Sequence, residues 1–358
     1  MHESGHDSEI RLPDTVTAAV DETRGSASDT AGLQHRWSPE FSAARFLAGA
    51  HRQTLWGTMV SRATSVSGTR QRQLRLENGD QLLICDNRPL DWEAGQHVAV
   101  LLHGLAGSSE SGYLRRLAGK LLVRGVRVIR LNHRGCGGGI ELADEPFHAG
   151  RTEDLVATIK LVESLCPGSP ISIVGFSVSG NTLLKYLGED AESLPLSLFR
   201  AVAVCPPVDL QYCVDQLALT RGGRFYSRYF CRKLYQQLQG SRLWKGNLPL
   251  VVSGKCPVRL VDFDEQFTAP ASGFRSAADY YQQASCARFI SKIRVHTTIL
   301  AAADDPVVSV RPLQKLQLPP NVNLHLTTAG GHLGYIARPS DDPDNRWMDW
   351  RILEWLLE

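Results

Sequence analysis

The segment Ile171 to Asn181, ISIVGFSVSGN, runs from an apolar, β-branched stretch directly into Gly175, Phe176, Ser177, Val178, Ser179 and Gly180. A strand that turns at once into a helix holds its corner residue in a strained conformation and projects that side chain from the end of a sheet. Small residues two places before and after the corner let strand and helix pass closely, and Gly175 and Ser179 fill those places. Ser177 is therefore the candidate nucleophile, although the usual GxSxG pattern has glycine where this chain has Ser179. An aspartate and a histidine follow in the chain order that accompanies such an elbow. Val295 to Ala303 reads as a buried strand running into Asp304, Asp305, Pro306, Val307 and Val308. Val322 to Thr328 alternates like a strand and opens into Ala329, Gly330, Gly331, His332, Leu333 and Gly334. In a Ser-Asp-His triad the imidazole takes the serine proton, while the carboxylate fixes its tautomer and stabilises the imidazolium. Asp305 is chosen over Asp304 because it precedes a proline and a β-branched pair, the common setting of the working carboxylate; Asp304 stays open as a substitute.

A fourth element is independent of these three. His97 to Leu102 is another apolar run, ending in His103, Gly104, Leu105, Ala106 and Gly107. Such a loop supplies one half of an oxyanion hole, so the backbone N–H groups of Leu105 and Val178 are expected to face the carbonyl oxygen that becomes negative on attack. Donors of this kind are typically worth about 2.7–4 kcal/mol each. His103 reads as a residue that shapes its loop rather than as a proton carrier. Alone, Ser177 suits a helix N-cap, Asp305 a turn before proline and His332 an ordinary loop. Their joint placement favours chemistry.

These residues need strand ends to carry them. Gln71 to Glu77 and Gln81 to Asp86 flank the hairpin signal Asn78, Gly79, Asp80. Helix 112–123 then precedes strand 126–131, helix 152–165 precedes the elbow strand, and helix 179–187 precedes strand 201–204. This alternation predicts an α/β fold with a mostly parallel sheet covered by helices on both faces, and with ligands bound beyond the carboxyl ends of the strands. After Cys205, Pro206 and Pro207, the sixth strand having ended, the rhythm breaks for about eighty residues, which predicts an inserted cap. The expected division is a disordered tail over 1–36, core over 37–206, cap or lid over 207–290, and the second part of the core over 291–358. Phe41 to Trp56 reads as a helical lead-in. A last helix, 346–357, is expected to pack Trp347, Trp350, Leu353 and Leu357 on the sheet.

Composition narrows the function classes. The chain has 358 residues and a formal net charge of +2, so bulk charge gives no reason to expect nucleic acid. Cys85, Cys136, Cys166, Cys205, Cys213, Cys231, Cys256 and Cys286 are scattered, without CxxC or zinc-ligand spacing, and read as free thiols in a reducing compartment. No metal site and no cofactor motif is visible; Gly135 to Gly139 tempts a dinucleotide reading, but GxGxxG would need glycine where Ile140 stands. The first 36 residues lack a signal-peptide core, and Arg124, Arg127 and Arg130 interrupt the best candidate membrane span. A cytoplasmic enzyme is expected. Within the expected cap, Arg221, Arg224, Arg228 and Arg232 share one helical face. The bland reading is a solvated face; the sharper one is peripheral contact with anionic lipid headgroups or acidic substrates.

With these residues in hand the chain resembles the YheT-like branch of the α/β-hydrolase superfamily, from about Phe41 to the C-terminus. The matching pieces are His51, Arg52, Gln53, Thr54; His103, Gly104, Leu105; Asn132 to Cys136; Phe147 to Gly150; Phe263 to Pro270; Asp279, Tyr280, Tyr281; and Gly330 to Tyr335. The resemblance implies the α/β-hydrolase fold, Ser177, Asp305 and His332 as triad, and hydrolysis of carboxylic esters, with acylglycerols, phospholipids or short- to medium-chain esters as substrates. Ser179 departs from the family pattern. The alternatives are acyl transfer to an alcohol on the same triad and a non-catalytic lipid-binding protein on the same fold.

Overall fold

The computed structural model describes residues 36–37, 41–59, 66–242 and 255–357. The tail expected over 1–36 lies outside the described residues, apart from the backbone of Arg36.

Among the described residues nine strands form one sheet: β1 (Arg36–Trp37), β2 (Thr69–Arg75), β3 (Gln81–Asn87), β4 (Val98–Leu102), β5 (Arg127–Asn132), β6 (Ile171–Phe176), β7 (Leu198–Val204), β8 (His296–Ala302) and β9 (Val322–Thr327). Their spatial order is β1-β9-β8-β7-β6-β4-β5-β3-β2. Only the β2–β3 hairpin and the β3–β5 pair are antiparallel; every other neighbour is parallel. The register aligns Leu102 with Gly175, Gly175 with Ala203 and Ala203 with Ile299, while β8 and β9 continue to the Ala302–Thr327 pair. The carboxyl ends of five parallel strands thus share one rim.

Strand side chains alternate between faces, so each strand feeds two cores. From β4, Val98, Val100 and Leu102 pack on one side with α3 (Glu153–Leu165) and α4 (Val178–Glu189), against Leu155, Ile159, Leu183 and Leu187. Ala99 and Leu101 face the other way, toward Leu114, Leu117 and Leu121 of α2 (Gly112–Val123) and toward the C-terminal helix. A helix lies on each face because the apolar residues of α2 and α3 recur at the spacing of one helical stripe.

Two expectations need adjustment. The lead-in is a short 3₁₀ turn at Arg45–Leu47 followed by α1 (Ala50–Met59). In the C-terminal helix, Trp347–Leu357, the buried apolar residues are Trp347, Met348, Ile352, Leu353 and Leu356, whereas Trp350 is half-buried and Leu357 is 38% exposed. The helix is rotated from the expected stripe because Asp349 is drawn inward to Arg116, 3.0 Å away, and Trp350 donates instead to Asp344.

Between β7 and β8 the chain leaves the sheet. β7 is the sixth of the strands expected from the sequence, since the two-residue β1 carries no signal of its own. The departing segment holds α5 (Leu210–Leu219), α6 (Arg221–Gly240), a helical run over 260–271 that includes a π-helical stretch at Asp264–Thr268, and α7 (Ala277–Ala284). Its residues form small clusters of their own, such as Cys231, Tyr235, Leu238, Phe263 and Phe267. Another cluster joins Leu217 and Tyr226 to Val307 and Val308, just beyond Asp305.

Candidate active site

The elbow is built by close approach. A Cβ on Gly175 would lie 2.4 Å from the Ser179 carbonyl oxygen, so only glycine lets the end of β6 pass the first turn of α4. Ser177, between them, takes φ 53° and ψ −121°, and its N–H donates to the Val204 carbonyl at 2.7 Å. A non-glycine residue in this region is strained, and the neighbouring strand holds it there.

His332 arrives from the loop after β9. Its Nε2 lies 2.9 Å from Ser177 Oγ and its Nδ1 lies 2.7 Å from Asp305 Oδ2. A carboxylate only accepts, so Nδ1 carries the proton and Nε2 is left to accept from the serine hydroxyl. The other oxygen of Asp305 accepts the N–H groups of Val307 and Val308, at 2.8 and 2.9 Å, which fixes the carboxylate plane. The structure therefore brings Ser177, His332 and Asp305 together. Asp304 faces elsewhere, with Oδ1 accepting the Gly331 N–H at 2.8 Å. Burial raises its carboxyl above the ordinary range, while the Gly331 bond acts in the opposite direction.

The histidine loop is also held by α1, from the far end of the sequence. Thr54 Oγ1 accepts the His332 N–H at 2.8 Å, and the Gln53 amide makes a two-way pair with the backbone of Ile336, at 3.0 and 2.8 Å. Gly331 has φ 59°, and a Cβ there would meet the Ala50 carbonyl oxygen at 2.4 Å. Gln53 and Thr54 belong to the matched piece His51 to Thr54, but their pairing across about 280 residues leaves no local sequence signal.

Leu105 and Val178 flank Ser177. Val178 is the first residue of α4, where a backbone N–H has no intrahelical acceptor. Leu105 follows Gly104, whose Cβ would sit 3.3 Å from Ser177 Cβ, so the loop after β4 abuts the serine. His103 is buried with Nδ1 2.8 Å from the Gly104 carbonyl, shaping that loop as expected.

Ser177 opens on two cavities. One is mainly apolar and reaches under the segment beyond β7, lined by Leu210, Val214, Leu217, Phe230, Tyr281 and Val308 among others. The second also contains His332 and is lined by Thr54, Thr58, Ser111, Tyr113, Tyr226 and Tyr229, with Phe225 beside them. Among the described residues, Cys205, Asp305 and His332 are the group whose ligand-type atoms cluster within 4.8 Å. Both imidazole nitrogens already have partners, and burial pushes the Cys205 thiol well above its ordinary value, so the cluster suits proton transfer better than metal ligation. The cysteines of the described residues are free, and six of the eight are buried.

The sequence pattern of the α/β hydrolase family matches residues 99–344. The chain belongs to the α/β-hydrolase family. Within it, the YheT protein of Escherichia coli K12 is 31% identical over 327 residues, spanning 89% of this hydrolase and 93% of that protein, which sets the chain in the YheT-like branch. The medium-chain fatty acid ethyl ester synthase/esterase 2 of Saccharomyces cerevisiae is 29% identical over 285 residues, covering 73% of this hydrolase and 62% of the yeast protein. The Pyrococcus furiosus esterase Pf2001 shares the fold of this hydrolase with a TM-score of 0.53 at 19% identity, over 80% of this chain and 91% of that one. Among the described residues no helix is long and apolar enough to cross a membrane.

Proposed function

We propose that this hydrolase cleaves carboxylic esters through an acyl-enzyme. His332 Nε2 accepts the Ser177 proton as Oγ attacks the ester carbonyl, and the N–H groups of Leu105 and Val178 stabilise the resulting oxyanion. Asp305 holds the Nδ1–H tautomer and stabilises the imidazolium. The imidazolium then protonates the departing alkoxide. Water attacks the acyl carbonyl, giving one proton to His332, and the carboxylic acid leaves as Ser177 regains its hydrogen. The observation that carries this reading is the unbroken relay from Ser177 Oγ through both nitrogens of His332 to Asp305, at 2.9 and 2.7 Å.

The apolar cavity suits an acyl chain and the hydroxyl-lined cavity suits the alcohol part of an ester or acylglycerol. Residues 207–290 then act as the cap that selects the chain. Of these, 243–254 lie outside the described residues. Helix α6 carries exposed Arg221, Arg224, Arg228 and Arg232 and no acidic residue, and Phe225, 57% exposed, lines the cavity that contains Ser177. Peripheral contact with anionic membrane lipid at this mouth accords with that pattern. Free, mostly buried thiols accord with a cytoplasmic setting. Acyl transfer to an alcohol is the second reading, favoured by the yeast relative whose name joins synthase and esterase; the same acyl-enzyme serves when the alcohol replaces water.

Covalent labelling by a fluorophosphonate, lost in Ser177→Ala, and hydrolysis of p-nitrophenyl esters of graded chain length test the main reading. Wild-type protein that is neither labelled nor active would sink it. Product analysis with added ethanol separates hydrolysis from transfer.

A further inference from the structure

We propose that Ser179 is a positioning residue for the oxyanion hole: its hydroxyl ties the loop after β4 to the first turn of α4 and so sets the spacing of the Leu105 and Val178 amides. The inference rests on the reading of Ser177 as nucleophile with those amides as donors. Glycine at this place in the GxSxG pattern has no such group.

The Ser179 side chain is fully buried, and its Oγ contacts two partners, the His103 carbonyl oxygen and His133 Nε2, the latter at 2.7 Å. The hydroxyl has one hydrogen, and the carbonyl can only accept it. Hence His133 must donate from Nε2, which for a neutral ring is the Nε2–H tautomer. His103 Nδ1 faces the Gly104 carbonyl and must also donate, while its Nε2 accepts the His133 backbone N–H at 3.2 Å. The result is a closed circuit through His103, His133 and Ser179 in which every proton has one assignment. Burial lowers His103 to about 4 and, with His103 beside it, lowers His133 well below the ordinary imidazole range. Both rings are neutral at pH 7, which the circuit requires of His103 because its Nε2 accepts. Phe147 stacks on His133 with centroids 3.9 Å apart and planes 18° apart, which fixes the ring.

The position of this circuit gives it a function. Ser179 directly follows Val178, and His103 precedes Leu105 by two residues across Gly104. A bond between Ser179 and His103 therefore spans the two sides of the proposed hole, beneath Ser177. Stabilisation of a developing oxyanion depends on donors held within about 0.5 Å of the productive geometry, and displacements of about 1 Å cost on the order of 10²-fold in rate. A strut between the two donor-bearing segments acts on that spacing without touching substrate.

The test uses the full-length chain with Ser179→Ala, Ser179→Gly, His133→Ala and the Ser179→Ala/His133→Ala double variant. kcat and KM are measured for p-nitrophenyl butyrate, together with Ki for a trifluoromethyl ketone, whose serine adduct places an oxyanion in the hole. Ser179→Ala should lower kcat about tenfold to 10²-fold, leave KM within about twofold, and weaken the ketone in proportion to kcat/KM. His133→Ala should give a similar loss, and the double variant no more than either alone, because both break one circuit. If Ser179→Ala does not fold, Ser179→Gly, which fits the family pattern, carries the same expectation. Unchanged kcat, a loss confined to KM, or losses that multiply in the double variant would each overturn the clamp. Labelling of the wild type by a fluorophosphonate tells this failure apart from failure of the serine-hydrolase reading.

Discussion

The rim of the sheet and the segment above it are built on opposite principles. Among the described residues, the non-glycine residues with φ in the left-handed region are Ala106, Ser177, Cys205, Leu333 and Tyr335, and each lies beyond the carboxyl end of β4, β6, β7 or β9. Among the described residues between β7 and β8, only Gly273 takes such a φ once Cys205 is passed. The rim joins strained backbone to hydrogen bonds that leave each polar group one role: Asp305 to His332, Asp304 to Gly331, Ser179 to His103. The segment above joins relaxed helices to aromatic contacts, such as Phe263 with Phe267 at 4.9 Å and Tyr280 with Tyr281 at 5.1 Å. Strain at functional positions persists only where the surroundings over-determine it. In the function proposed above, the chemistry falls on the strained rim and the choice of acyl chain on the helices above it, which are free of that strain among the described residues.

The sharpest way to break that comparison is within the rim. Asp305→Asn should lower kcat by about 10⁴-fold by favouring the wrong His332 tautomer, whereas Asp304→Asn, which weakens only the acceptor for Gly331, should cost no more than about 10²-fold. Steady-state kinetics on a p-nitrophenyl ester decide it, and equal losses would erase the division of labour between the two aspartates. The next effect belongs to the segment above. Val214→Phe, which fills the apolar cavity, should lower kcat/KM for an octanoyl ester about tenfold or more while the acetyl ester stays within about twofold. A parallel fall for both esters would show that the two regions are not separable.

The smallest effect is on stability against pH, and here the regions have opposite signs. His103, His133 and His148 are buried neutral, with His103 lowered to about 4 and His148 to about 3, so on acidification the unfolded chain takes up protons near pH 6.5 that the folded chain does not. Stability should fall as pH drops from about 7 toward 4. Asp264, in the segment above, is raised to about 6 by burial, the bonds from Tyr281 and Thr268 opposing it only in part. It binds a proton in the folded state first, so its contribution favours folding at low pH and is lost as pH rises through 6. Denaturant titrations at pH 7 and pH 5 should show lower stability at pH 5 in the wild type, a steeper loss in Asp264→Asn, and a shallower one in His148→Gln. A wild type more stable at pH 5 would reverse the assignment.

Much of the fold was legible because the signals are local. Gly175 and Ser177 mark the elbow through a steric demand that acts within four residues; Gly330 and Gly331 flag the histidine loop by residue type, although the group that excludes a side chain at Gly331 is the distant Ala50 carbonyl. Apart from the lead-in, the strands and helices follow from alternation and helical spacing, with boundaries displaced by no more than three residues. What was not legible is relational. Asp304 and Asp305 are adjacent in the chain, and the direction each faces depends on a loop that arrives after β9. Ser179 reads as a departure from a pattern until His103 and His133 are set beside it. The C-terminal helix shows the same limit, since Asp349 turns it toward Arg116, a residue 233 positions away.

The earliest part of the described chain holds the latest part of the site. β1 pairs with β9, the Ala44 N–H donates to the Ile336 carbonyl, Thr54 accepts the His332 N–H, and Gln53 pairs with the backbone of Ile336. Chains emerge from the ribosome N-terminus first, so these residues wait for partners made about 280 residues later. Ser177 is likewise made 155 residues before His332, the side chain its hydroxyl meets in the folded chain. In the function proposed above, a nascent chain that stops short of His332 holds a serine without its proton acceptor, so competence waits for the loop after β9.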